Sequence, residues 1–192
     1  FLSRAAHAGR NPEAGRNAIV AAADLAVRLA ALGRPGLSVN PARIDGGGPN
    51  NIVPDKAVLR VNLRPSDLAD QSEAEAAIGL IVAEVAKTHD VAIDVRGGFG
   101  RPPKPVDARA EKLFDLVRQC GAQLGLEIGW QATGGVCDGN NIAACGVPVG
   151  DTMGVRGGAI HSADEFLIVA SLAERAQLSA LVLLRLAEGE LA

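Results

Sequence analysis

An alternation of apolar and polar residues within Ala57–Arg64 constrains the fold more than any other feature of the chain. The alternation runs through Leu59, Arg60, Val61, Asn62, Leu63 and Arg64. Because successive side chains of a strand point to opposite faces, this segment predicts a half-buried antiparallel strand with one polar face. Such a strand needs neighbouring strands along its edges and a covering layer on its apolar face.

The elements around this strand supply both. Before it, the sequence predicts the end of a strand near Phe1, a helix over Glu13–Leu32, and a strand over Leu37–Arg43 with a defect at Pro41. After it, the sequence predicts a helix that is capped by Ser66 or Asp70 and ends near His89, followed by a strand over Val91–Val95. The order strand, helix, strand, strand, helix, strand predicts a ferredoxin-like, split-βαβ layer with helices on one face of the sheet.

A proline-rich segment, Arg101–Pro105, interrupts this pattern and predicts a domain boundary, with one domain over residues 1–103 and another over 104–192. Beyond it the predicted elements are a helix over Ala108–Leu124, a strand over Glu127–Gln131, a helix from Asp138 to Gly146, a strand over Val147–Thr152 and a helix over Ser171–Glu188. This order is typical of an incomplete piece of an α/β layer. The whole chain is therefore expected to be α/β, in the broad α+β sense.

Composition excludes several classes of function. A net charge of −3 and an aromatic content of 3% do not favour binding to nucleic acid or to a membrane surface. The three cysteines have no CxxC spacing, so we expect reduced thiols in a cytoplasmic protein. Because the sequence begins at Phe1, we expect it to be part of a longer protein.

Two of the three histidines lie in unusual surroundings. His161 follows Gly157-Gly158 in a loop just after an apolar segment, where ligands of α/β layers gather, and a nearby carboxylate could orient its ring on a metal. His7 lies among small residues that would let another group approach closely. Composition alone favours an ordinary surface histidine at both positions. His89, at a helix end, is expected to interact with the helix dipole.

A glycine-rich loop, Thr133–Asp138, precedes a predicted helix. Backbone N–H groups of such a loop can bind a carboxylate or an oxyanion. Asp138 could equally be a simple helix cap, and Cys137 a buried or weakly reactive thiol. Nucleotide-binding fingerprints of the GxGxxG and GxxxxGK[ST] types do not occur.

Four segments, taken in order, resemble the zinc-dependent amidohydrolases that include glutamate carboxypeptidase, acetylornithine deacetylase and aminoacylase. They are Arg4–Gly9 with Asn11–Ala18, Gly48–Pro54 with Val61–Arg64, Thr133–Asp138, and Gly158–Glu165. The second resembles the family's N-x-[IV]-P and D-x-R segments, the third its T-G-G-x-x-D, and the fourth its last metal-ligand loop. Together they extend over nearly the whole chain.

The resemblance implies a lid or dimerisation domain followed by the C-terminal portion of a zinc catalytic domain. His161 would bind one of two zinc ions, and His7 would stabilise the oxyanion in the active site of a partner subunit. Asn51 and Arg64 would bind the substrate carboxylate or support His7, and Arg101 would be a further arginine on the substrate side. Gly134 and Gly135 would offer backbone N–H groups to the same carboxylate. A homodimer would form through edge pairing of the lid sheet.

The chain departs from the family pattern in two respects. The H-x-D motif, the acidic pair with the general base and two more carboxylate ligands precede this region in the family, so this chain alone is not expected to be active. Asn62 stands where the family has Asp. The leading hypothesis is zinc-dependent hydrolysis of N-acyl amino acids or carboxypeptidase substrates by the parent protein. The alternatives are a non-catalytic dimerisation module and a carboxylate-binding domain without chemistry.

Overall fold

The chain is described by a computed structural model over residues 1–190. It divides into two compact units, the first over Phe1–Pro103 and the second beginning at Lys104. The elements of the first unit are β1 (Ala6–His7), a 3-10 turn (Pro12–Ala14), α1 (Ala18–Ala30), β2 (Leu37–Gly46), β3 (Ile52–Val53), β4 (Ala57–Pro65) and α2 (Leu68–His89). Those of the second are α3 (Ala108–Gln123), α4 (Asp138–Ala144), β5 (Gly157–Gly158), β6 (Phe166–Leu167) and α5 (Ser171–Ala187).

The sheet of the first unit has the predicted split-βαβ order. β2 pairs with β4 in antiparallel register from Leu37↔Pro65 to Gly46↔Ala57. On the other side of β4, the Phe1 amino group and the Ala57 amide bond each other's carbonyl oxygens, and Leu2 then pairs with Ala92. The N-terminal segment therefore lies between β4 and the residues that follow α2. The α+β class is confirmed. The strands predicted near Phe1 and over Val91–Val95 are reduced to isolated bridges, which Leu2 forms with Lys56 and with Ala92.

The helices cover the apolar side of this sheet. Leu25 and Leu29 of α1 and Val85 of α2 are buried against Leu59 and Val61, the apolar positions of the alternating strand. A smaller cluster joins the small residues Ala18, Ala22 and Ala57. Because the alanine side chain is small, a helix and a strand can approach closely at these positions, and the start of α1 packs against the start of β4. The polar positions Arg60, Asn62 and Arg64 are exposed on the opposite face.

The two predicted helix starts of this unit were wrong. α1 begins at Ala18 because the side chain of Asn17 accepts the N–H groups of Ile19 and Val20, and Pro12–Ala14 forms a separate 3-10 turn. α2 is capped by Asp67, which accepts the Asp70 N–H, and not by either predicted residue. His89 has a tertiary partner, since its Nε2 lies 2.9 Å from Asp24 Oδ2 on α1.

Strand β2 forms an edge of this sheet. Its one strand neighbour among the described residues is β4, and its register shifts between Pro41 and Arg43. The defect predicted at Pro41 is therefore a β-bulge, as expected where a residue without an N–H interrupts a ladder.

The core of the second unit lies between α3 and α5. Leu113, Val117 and Cys120 of α3 pack with Leu178 and Val182 of α5. The strands predicted over Glu127–Gln131 and Val147–Thr152 were wrong, because neither segment has a ladder partner among the described residues. The helix predicted from Asp138 to Gly146 ends at Ala144 and has Cys137, not Asp138, at its cap position. Within residues 1–190, no helix is long and apolar enough to cross a membrane.

Candidate functional site

The residues singled out from the sequence fall on both units. His7, Asn51, Arg64 and Arg101 belong to the first unit, and the Thr133–Asp138 loop and His161 to the second. The geometry of each group is therefore described within its own unit.

The short β1–β3 ladder brings His7 and Asn51 together. His7 pairs with Ile52, and the Ala8 N–H donates to the Asn51 carbonyl at 2.9 Å. The exposed His7 ring accepts the Gly9 N–H at Nδ1, 3.1 Å away. Because an acceptor Nδ1 places the proton of a neutral imidazole on Nε2, the ring presents an N–H donor at its outer end. That donor is suited to stabilise developing negative charge on an oxygen.

Arg64 lies on the polar face of β4. Its Nε donates to Asn62 Oδ1 at 2.9 Å, so the amide orients the guanidinium without neutralising it through that contact. An oriented guanidinium can bind a carboxylate with two hydrogen bonds. Arg101 is exposed in the irregular segment between α2 and α3.

We call residues Thr133–Cys137 the glycine loop. Within it, the Gly135 N–H lies 3.3 Å from Thr133 Oγ1, and the Cys137 N–H donates to Asn140 Oδ1 at 3.0 Å. Both contacts fix the loop locally. The side chains and backbone of the loop lie at the surface of the second unit.

His161 lies at the tip of a hairpin formed by β5 and β6. Ala159 and His161 adopt positive φ values of 54° and 67°, which are uncommon for residues other than glycine and often occur at functional sites. The His161 N–H donates to the Glu165 carboxylate at 3.3 Å, and Ser162 Oγ donates to the Ala159 carbonyl at 2.7 Å. These bonds hold the tip in a compact turn with the imidazole exposed.

The base of this hairpin is tightly anchored. A Cβ on Gly157 would lie 2.3 Å from the Phe166 carbonyl oxygen, so only glycine allows the two strands to approach. Arg156 forms two hydrogen bonds with the Glu174 carboxylate of α5, at 3.1 and 2.9 Å, and its N–H donates to Ser171. These contacts hold the base of the hairpin, from which the His161 tip extends, against α5.

Sequence reasoning missed Asp151. Hydrogen bonding from Lys104, opposed by burial and assisted by Cys137 and Thr152, lowers the pKa of this carboxyl below its usual value. The signal in the sequence that could have pointed to Asp151 is its position as a charged residue directly after the apolar segment Val147–Gly150. Lys104 and Cys137 also lie outside the predicted set of site residues.

The described residues do not complete a metal site. Within residues 1–190 no group of three or more His, Cys, Asp or Glu side chains could hold a metal ion. Because protein sites for zinc use three or four ligands, His161 could supply one ligand of such a site but not the site itself.

The comparisons with known proteins identify the chain's relatives. Residues 1–90 match the peptidase dimerisation domain. The chain is 29% identical to carboxypeptidase G2 of Pseudomonas sp. (strain RS-16), over 99% of this chain and 46% of that protein. Shorter matches are an indole-3-acetyl-aspartic acid hydrolase of Enterobacter agglomerans, 45% identical over 33% of the chain and 15% of that protein, and one of the p-aminobenzoyl-glutamate hydrolase polypeptides of Escherichia coli, 41% identical over 37% and 17%.

Solved structures show the same fold. Aminopeptidase PepT from Bacillus cereus superposes with a TM-score of 0.76 at 25% identity, covering 94% of this chain and 48% of that one. The YXEP protein of Bacillus subtilis, described as a dinuclear metal-binding peptidase of the M20 family, has a TM-score of 0.66 at 17% identity, covering 90% and 47%. The chain thus spans about half the length of carboxypeptidase G2 and of both solved proteins.

Proposed function

The chain carries an M20 peptidase dimerisation domain and is homologous to carboxypeptidase G2, and from this premise we propose that its parent protein is a zinc-dependent amide hydrolase. Its substrates would be N-acyl amino acids or carboxypeptidase substrates, with an acidic amino acid as the preferred leaving group. The parent protein would act in the cytoplasm, consistent with free cysteines at positions 120, 137 and 145.

One observation carries the proposal: the alignment with carboxypeptidase G2 extends over 99% of this chain, including both loops with candidate site residues. The two shorter relatives narrow the substrate class. By their names, they hydrolyse an aspartate conjugate and a glutamate conjugate, each an acyl group joined to an acidic amino acid. Arginine side chains are suited to such substrates because they pair with carboxylates.

Each candidate residue has a proposed role. His161 binds zinc, and His7 stabilises the oxyanion. Asn51, Arg64, Arg101, Gly134 and Gly135 bind the substrate carboxylate. The exposed guanidinium of Arg64, oriented by Asn62, and the outward N–H of His7 support these assignments.

Zinc would supply an activated water for attack on the amide. Since the described residues provide His161 and no further cluster, the remaining ligands and the general base would come from a part of the parent protein outside this chain. A two-metal centre is consistent with the description of the Bacillus subtilis protein.

The proposed partner is a second copy of the chain. The edge strand β2 exposes backbone donors and acceptors that a second β2 could pair with across a two-fold axis. In that dimer, His7 of one subunit would serve the zinc site of its partner.

Hydrolysis of p-aminobenzoyl-glutamate and indole-3-acetyl-aspartate by the full-length parent protein tests the substrate class. We expect His161→Ala to lower kcat by at least about 100-fold and to reduce the zinc content, since loss of a ligand weakens the metal site. His89→Asn, which removes a histidine bound to Asp24, is the control and should retain activity. Undiminished zinc and activity in His161→Ala would reject the assignment.

Mixing two inactive variants tests the dimer and the role of His7 in its partner. A His7→Ala subunit paired with a His161→Ala subunit forms one intact site, so the equilibrated mixture should recover about one quarter of wild-type activity. Mixing wild type with the doubly substituted chain yields no such gain and is the control. A monomer by sedimentation, or no recovery on mixing, would contradict the arrangement.

A second candidate applies to the 192-residue chain by itself: a non-catalytic dimerisation module. It is favoured by the incomplete ligand set among the described residues. Zinc titration of this chain followed by calorimetry distinguishes the two, because tight stoichiometric binding would argue against an inert module.

A further inference from the structure

A single carboxylate, that of Asp151, joins three segments of the second unit. Its Oδ2 accepts hydrogen bonds from Lys104 Nζ and, at 3.2 Å, from the thiol of Cys137. Its Oδ1 accepts the hydroxyl of Thr152 at 3.1 Å. The bonded groups come from the start of the unit, the last residue of the glycine loop and the segment that leads to the His161 hairpin.

The backbone next to Asp151 is held in an unusual conformation. Thr152 has a φ of 61°, which β-branched residues rarely adopt. Such a conformation persists where surrounding contacts enforce it, and the hydrogen bond from the Thr152 hydroxyl to Asp151 is one such contact. The segment therefore has a defined shape although it forms no strand ladder among the described residues.

Close packing keeps the loop near the carboxylate. A Cβ on Gly139 would lie 3.0 Å from Val149 Cγ1, 3.1 Å from Cys137 Sγ and 3.5 Å from Asp151 Oδ2. A side chain at position 139 would therefore crowd Val149 and Cys137 and would touch Asp151, so the first turn of α4 packs closely against this segment. This contact and the Cys137 hydrogen bond join the glycine loop to the same anchor.

We propose that Asp151 is a positioning residue that, charge-paired with Lys104, holds Cys137 and with it the glycine loop in the geometry that binds a substrate carboxylate. The inference rests on the proposed function, in which Gly134 and Gly135 contact that carboxylate. Asp151 acts through Cys137 and does not itself touch the substrate. Loss of the anchor should therefore weaken substrate binding more than it slows the chemical step.

Lys104 gives the anchor its charge balance. The hydrogen bond from Lys104 lowers the pKa of Asp151, so the carboxylate stays ionised at neutral pH. An ionised carboxylate only accepts hydrogen bonds, and it accepts them from the amine, the thiol and the hydroxyl. Without Lys104, the negative charge of Asp151 would lie unneutralised next to the glycine loop, for which we propose binding of an anion.

Kinetics of the full-length protein on p-aminobenzoyl-glutamate test the proposal. Cys137→Ala removes the donor, and we expect KM to rise about tenfold with kcat within about threefold of wild type. Cys137→Ser retains a donor at the same position and should recover most of the lost affinity. Asp151→Asn should raise KM at least as much as Cys137→Ala. A fall in kcat at unchanged KM, or a serine variant no better than alanine, would overturn the proposal.

A matched control separates anchoring from a general loss of charge. Asp115→Asn removes a carboxylate of the same size from an exposed pair with Arg118 on α3 and should leave KM unchanged. The fluorescence of Trp130, stacked on Phe114 at 3.9 Å, reports whether each variant keeps the fold of the second unit.

Hydrogen exchange distinguishes failure of this inference from failure of the proposed function. In Asp151→Asn, backbone amides of the glycine loop should exchange faster, whereas those of α3 should not change. An inactive wild-type protein with this exchange pattern would reject the hydrolase and retain the anchor. An active protein whose variants leave both loop exchange and KM unchanged would reject the anchor alone.

Discussion

The two units of the chain bury their apolar residues in different ways. In the first unit, β4 has neighbours on both sides, and two helices cover the apolar face of the sheet. In the second, α3 and α5 build the core, while Glu127–Gln131 and Val147–Thr152 have apolar strand patterns and no ladder among the described residues. The difference teaches that a strand pattern in the sequence becomes a strand only where a neighbour supplies hydrogen bonds.

The largest test of this comparison is to separate the units. Residues 1–103 produced alone should melt in one cooperative transition by circular dichroism, because their sheet and both core clusters are internal. Residues 104–192 alone should bind a hydrophobic dye and melt in a broader transition at lower temperature, since Ile160 and Val169 are 73% and 72% exposed. The opposite pattern would show that the ladder difference does not govern stability.

Matched core substitutions should have the next largest effect. Leu25→Ala in α1 and Leu178→Ala in α5 each remove a buried side chain, and each should lower the free energy of unfolding of its own unit by about 2–5 kcal/mol. Trp130, the one tryptophan of the sequence, monitors the second unit during denaturant titration. A shift of the Trp130 transition in Leu25→Ala as large as in Leu178→Ala would mean that the units unfold together.

Matched helix caps should have a smaller effect. Asn17 accepts two N–H groups at the start of α1, and Asp107 accepts those of Arg109 and Ala110 at the start of α3. Replacing either cap by alanine should cost about 1 kcal/mol in the unfolding free energy of its unit. Equal losses would indicate that local helix stability is comparable in the two units, and no loss would contradict the capping role.

Acid should have the smallest effect, and it should affect both units. Hydrogen bonds from Arg28 and His89 lower the pKa of Asp24 below 3.8, and Lys104 lowers that of Asp151. A lowered pKa means that the stabilisation is complete above the ordinary value and is lost as pH falls through the folded-state value. In Asp24→Asn, the free energy of unfolding of the first unit should therefore vary less with pH in the acid range. The acid transition of the second unit, followed by Trp130 fluorescence, should not change. A steeper acid transition in this variant would contradict the sign.

Local sequence patterns predicted the fold where the chain supplies all partners of an element. The alternation at Leu59, Val61 and Leu63 identified the central strand because its apolar face meets α1 and α2. The start of α1 was missed because Pro12 and Glu13 look like a helix start, whereas Asn17 makes the capping hydrogen bonds. Which of several capping residues makes these bonds depends on the local backbone conformation, which hydrophobic periodicity does not contain.

The candidate site shows the same limit. Motif resemblance predicted His7, Asn51 and His161 as site residues, and these assignments stay predictions. The resemblance does not contain the ring orientation of His7, which depends on the Gly9 N–H. Asp151 could not be predicted as an anchor, since its partners Lys104 and Cys137 lie 47 and 14 positions away in the sequence. Contacts of this kind depend on the path of the chain and not on any local period.

The bulge at Pro41 limits which strands could pair along β2, the edge strand of the first unit. A proline nitrogen cannot donate, and a bulge bends and twists the strand that contains it. In the proposed dimer, a second β2 with the same bend would follow the shape of this strand, whereas a straight strand from another protein would not align along its whole length. The same kink discourages open-ended stacking of many chains into fibrils. One interrupted position thus separates recognition of a like strand from indiscriminate aggregation.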